Sequence, residues 1–103
     1  MTNDDLLVML KANLEIITDY MDEEARAAKD AQLMVYIDAA KTYITREGAT
    51  LSLDDIGDCQ LIIMYAEWLY DKRKVNVGYG NSVEMPRMLR WNLNNKLAEA
   101  KNA

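Results

Sequence analysis

The stretch DDIGDCQLIIMYAEWLYDKR, Asp54 to Arg73, decides how this chain folds. Projected as a helix, it carries apolar side chains on nearly its full circumference, and only Gln60, Glu67 and Asp71 make a narrow polar strip. It reads as a helix from about Leu53 to Lys74. Ser52 and Asp55 stand in capping-box spacing at its start, and Asp54 adds a second acid near the positive end of the helix dipole. Lys72, Arg73 and Lys74 stand at its negative end, where cations are favoured. A helix wrapped in this way needs protein on most sides. A chain of this length has only three other helices to supply it, so a neighbouring subunit is the expected source of the remaining cover.

Upstream, Asn3 or Asp4 can cap a first helix whose apolar positions Leu6, Leu7, Leu10, Leu14 and Ile17 repeat at helical spacing, ending near Thr18. DYMDEEARAAKDAQ follows, charged and rich in Ala. Its acids Asp22, Glu23 and Glu24 suit the first turn of a second helix. From Leu33 that helix gains a stripe, Leu33, Ile37, Ala40 and Ile44, which belongs to the core. Tyr36 and Tyr43 lie along the stripe's edge, and Gly48 suits a left-handed cap.

Downstream, VNVGYGNSV has two Gly, two Asn and a Ser with no helical period, and reads as a loop or a short hairpin. Its GYG lacks the preceding strand and the fuller glycine spacing of a phosphate cradle. Pro86 suits a first helical position and opens a fourth helix. Met85, Leu89, Leu93 and Leu97 form its inner face, at strict spacing of four. Trp91 projects about 180° away, between Arg87, Asn94 and Asn95. A large outward Trp beside Arg is the pairing most enriched at binding hot spots; the plainer reading is an indole lying flat on its own surface under Arg87. The expected fold is therefore all-α: a single four-helix domain over residues 1–103, with a long apolar central helix and a loop or hairpin before the last helix.

Composition narrows the function. Half of the residues are apolar and 28% charged, a balance that folds. Six Tyr and two Trp with no Phe give nearly every aromatic ring a polar handle suited to a half-wet boundary. Residues 1–50 hold 10 acids and 5 bases and residues 51–103 hold 7 of each, so the net charge of −5 resides in the first half. That balance disfavours a broad duplex-binding face. The longest apolar run, Leu61 to Ala66, is far short of the roughly 20 residues a membrane span needs. One Cys and no evident signal segment point to a reducing, cytosolic setting. No internal repeat is visible.

Chemistry is thin. Without His the chain lacks the commonest general base and metal ligand. Cys59 lies on an apolar helix and reads as core. Asp54, Asp55 and Asp58 lack the spacing of a calcium loop and read as helix caps. The chain is expected to be no enzyme and to need no cofactor. Its exposed features are interaction features.

DDLLVMLKANLEI, VYIDAAKTYI and DDIGDCQLIIMYAEWLYDKR, in this order, together with MPRMLRWNLNN at the end, resemble the small head-tail connector proteins of tailed phages and prophages, also called DNA packaging proteins. The resemblance spans nearly the whole chain, on patterns of helix and small residue rather than a chemical signature. It implies a structural subunit that forms a closed homo-oligomeric ring below the portal protein. The ring would meet a tail-side adaptor or completion protein and pass DNA through its channel without sequence-specific binding. It would stand in the virion neck after assembly in the bacterial host cytoplasm. Tyr65, Trp68, Tyr79, Arg87, Arg90, Trp91 and Asn94 are the interface candidates on that reading. One departure is DEEARAAKDAQ, longer than a short acidic turn, which means either an extended second helix or an inserted turn.

Two other readings stay open. A small helical regulator could bind a protein or nucleic-acid partner as a dimer, with Lys72 to Lys74, Arg87 and Arg90 as its basic edge. An enzyme could use Asp55 and Asp58 with a metal.

Overall fold

A computed structural model describes residues 1–72 and 85–102, and among these the fold is all-α, four helices and no strand. Neighbouring helices run antiparallel. Lys41 reaches Asn3 while Lys11 reaches Asp30; Tyr43 meets Tyr65 while Tyr36 meets Tyr70; Met64 meets Asn92 while Asp58 meets Lys96.

Helix α1, Asn3–Asn13, is capped by Thr2. Its hydroxyl accepts from the Asp5 N–H at 3.1 Å and the Asp5 carboxylate accepts from the Thr2 N–H at 2.9 Å. Hydrogen bonding to the Asp5 carboxylate, first from the Thr2 backbone N–H and then from the Thr2 side chain, holds the Asp5 carboxyl below its ordinary value. The cap therefore falls on Thr2, one residue before Asn3 and two before Asp4, because the reciprocal box satisfies two end groups where a lone Asn or Asp satisfies one.

Nor does α1 reach Thr18. Glu15 takes the left-handed conformation at φ 58°, its N–H bonding Ala12 and that of Ile16 bonding Lys11. This is a Schellman ending with Glu in the position glycine usually holds. Leu6 and Leu10 are fully buried and Leu14 half-buried, but Ile17, which helical spacing assigned to the core, is 65% exposed because the helix has already stopped.

Helix α2, Glu23–Arg46, starts on Asp22, whose carboxylate accepts from the Ala25 N–H at 2.7 Å. DEEARAAKDAQ is thus an extension of the second helix and not an inserted turn. Leu33, Ile37, Ala40 and Ile44 are all fully buried, as their spacing requires. Gly48 ends the helix at φ 112°, a left-handed conformation that costs L side chains energy and glycine little.

Helix α3, Ile56–Lys72, begins later than Leu53 because its cap is Asp55, whose carboxylate accepts the Asp58 N–H at 3.2 Å. Ser52 instead turns the preceding loop, its hydroxyl accepting the Asp54 N–H. Cys59, Leu61, Ile62, Ile63, Tyr65, Ala66 and Tyr70 are buried. The helix is central and apolar but not the long one: α2 has 24 residues to its 17. It packs against α1, α2 and α4 together, so three helices of the same chain cover much of what had called for a second subunit. Ile56 is its one large apolar side chain left mostly exposed.

Helix α4, Arg87–Asn102, follows Pro86, whose carbonyl accepts the Arg90 N–H. Leu89 and Leu93 are buried, with Met85 and Leu97 half-buried on the same face. Each fully buried Leu contributes about 1.5–3 kcal/mol relative to exposure. None of the described helices is long and apolar enough to cross a membrane.

Candidate interface on the outer face of α4

Because Leu89 and Leu93 anchor α4 to α3, the opposite side of α4 must face away. Trp91 is 61% exposed, and Met88, one turn before it on the same face, is 63% exposed. Arg87 and Asn94 flank them, both exposed, with Asn95 one residue further. The face thus offers two large apolar side chains inside a rim of one cation and two amides. Met88 was absent from the sequence candidates, although its spacing of three from Trp91 was the signal that could have found it.

Arg90 is directed differently. Its guanidinium pairs with Glu47 at 3.4 Å and so joins α4 to the end of α2. Lys96 pairs with Asp58 at 2.9 Å, and Asp58, buried at 4% exposure, also accepts the Ser52 N–H at 2.9 Å. The Asp58 hydrogen bond raises the Lys96 ammonium above its ordinary value against the opposing effect of burial. Both pairs clamp α4 in place, and the first engages Arg90, one cation of the basic edge a nucleic-acid partner would use.

Tyr65, Trp68 and Tyr43 form an aromatic ladder inside the chain. Tyr43 stacks on Tyr65 at 6.1 Å, Tyr65 meets Trp68 edge-on at 5.5 Å, and the Lys72 ammonium lies 4.9 Å from the Trp68 ring centroid. Burial, followed by the nearby Glu47 carboxylate, raises the Tyr65 phenol above its ordinary value, with Arg90 opposing. Tyr65 keeps only 7% of its surface, so among the interface candidates it belongs to the core that shapes the molecule. Trp68 is half-buried, and its indole N–H is buried without a hydrogen-bond partner. Tyr79, with Arg73, Lys74 and the loop or hairpin from Val75 to Val83, lies outside the described residues.

A polar groove of about 230 Å³ runs between the start of α3 and α4, lined by Asp55, Gly57, Gln60, Asn92, Asn95 and Glu99 among others. Two of its three acids are engaged: Asp55 caps α3, and Asp58 holds Lys96 and Ser52. Among the described residues no group of three or more His, Cys, Asp or Glu is placed to hold a metal ion. The arrangement at α4 suits contact with another macromolecule: an apolar centre, a polar rim and a helix clamped at both sides.

No protein-family model matches the chain, and comparison with curated proteins and with solved structures finds no match.

Proposed function

We propose that this chain is a structural subunit of a tailed-phage head-tail connector, assembling side by side into a ring below the portal through the outer face of α4. The observation that carries the reading is the exposure of Trp91 and Met88 together on the face of α4 turned away from the core. Contiguous exposed apolar surface rimmed by polar groups marks protein contact sites, and Trp with Arg supplies the side chains that most often dominate them. The all-α fold and the order of helical segments support the same reading. The central helix lends it no further support, since α1, α2 and α4 cover it within one chain.

In this role the chain works by shape. A ring formed from one repeated contact is heterologous, each subunit offering one face to its neighbour and a different face to the next. An excess of acid over base lets DNA pass a channel without the counterion release that makes it adhere. The portal protein and a tail-side completion protein would be the partners above and below.

The test is assembly on a portal. The chain is mixed with the portal protein of the phage or prophage that carries its gene, and particles are imaged by electron microscopy. An added ring of density below the portal is expected, absent for Trp91→Ala. A chain that leaves the portal bare at high excess would rule the reading out.

A further inference from the structure

A ring needs two different faces, and the outer face of α4 is one. The segment between α1 and α2 has the features of the other. Ile17 is 65% exposed and Tyr20 79% exposed, two large apolar side chains three residues apart on a short connection.

The connection is held firmly. Arg26 donates to the carbonyls of Thr18 at 3.3 Å, Asp19 at 3.1 Å and Met21 at 3.4 Å. Lys11 donates to the buried Thr18 hydroxyl at 3.5 Å and pairs with Asp30. The Ile16 N–H reaches back to Lys11 at 2.9 Å. A backbone fixed at this many points presents Ile17 and Tyr20 in one arrangement, so little ordering cost remains on contact.

Charge distinguishes this segment from the face on α4. From Glu15 to Glu24 there are five acids, Glu15, Asp19, Asp22, Glu23 and Glu24, and no base; Arg26 beyond them is engaged on its three carbonyls. On α4, Arg87 is exposed and makes no ion pair among the described residues.

The two surfaces cannot meet within one chain. Glu47, which holds Arg90, and Asp22, which caps α2, mark opposite ends of a helix about 36 Å long. We infer that the Ile17–Tyr20 segment of one copy docks on the Met88–Trp91 face of the next, its acids around Arg87, giving a head-to-tail contact between copies. Each copy then keeps one unused face of each kind, which is the condition for a ring or an open filament. The contact is small against the roughly 1,600 Å² of a standard stable interface, so each joint is weak and salt-sensitive, and closure supplies the rest.

This inference rests on the assembly reading above and is separable from it. In a Cys59→Ala background, Asp19→Cys chains are mixed with Asn94→Cys chains and oxidised mildly, leaving Ile17, Tyr20, Met88 and Trp91 intact. The expected product is the mixed cross-link, about tenfold over either self-cross-link. As a check independent of cysteine, Arg87→Glu is expected to weaken self-association in sedimentation at low salt by about tenfold, and Asp19→Arg in the same chain to restore it. Self-cross-links dominating the mixture, or no restoration by the double variant, would overturn the contact while a ring on the portal left the connector reading intact. A bare portal together with the mixed cross-link would leave the contact standing and remove the connector.

Discussion

Glu15 is the residue where local strain is most exposed to test. It sits at φ 58° with its N–H and that of Ile16 closing the end of α1, a position where a β-carbon is costly. Glu15→Gly is expected to stabilise the chain by up to about 1 kcal/mol, read as a raised urea midpoint. Gly48 gives the opposite experiment. Among the described residues a β-carbon there would meet Leu97 alone, at 3.9 Å, so space is adequate and the φ of 112° sets the penalty. Gly48→Ala should cost about 1 kcal/mol.

The Lys96–Asp58 pair makes a pH prediction at the same scale. Lys96 is raised above its ordinary 10.5 in the folded chain. A raised cation contributes stability that is fully present below the unfolded value and lost as pH climbs through the folded one. Stability should therefore hold up to about pH 10 and then fall, and Lys96→Met should flatten that part of the profile. The same variant leaves the buried Asp58 without its cation and should cost about 3 kcal/mol at pH 7, measured by urea denaturation. Gly48 and the acids at the start of α2 were legible in the chain, since left-handed caps and helix dipoles act locally. Glu15 was not, because nothing in its neighbours marks a carboxylate for a glycine position.

At the scale of elements, α4 and α3 differ in how they are held. α3 buries side chains against three helices, whereas α4 leans chiefly on α3 through Leu89 and Leu93, with an ion pair at either side. Amide hydrogens of α4 should exchange through local opening, well before those of α3, in native-state hydrogen exchange. Leu93→Ala should cost about 2–5 kcal/mol and hasten that exchange. The inner stripes of α2 and α4 followed directly from spacing, because a period of 3.6 puts such residues on one side whatever they meet. The expected reach of α1 to Ile17 failed for the complementary reason. Apolar spacing says where a helix could continue, and the Schellman bonds at Glu15 and Ile16 decide where it stops.

For the whole molecule, the separation of core from outer face is what matters. Trp91 and Met88 are mostly exposed and stand outside the core of the described residues, so Trp91→Ala should alter stability by less than about 0.5 kcal/mol while removing assembly, measured by denaturation and by sedimentation on the same sample. The sequence by itself determined the four helices of the described residues, which faces turn inward, and that Trp91 turns outward, since helical period and the cost of exposing apolar surface act along one element at a time. Only the tertiary structure decided that α1, α2 and α4 suffice to cover α3, that Tyr65 is core, and that Arg90 and Lys96 serve as clamps. Those outcomes depend on which elements meet and at what level. Helical period fixes the direction of a side chain but not the neighbour that waits there.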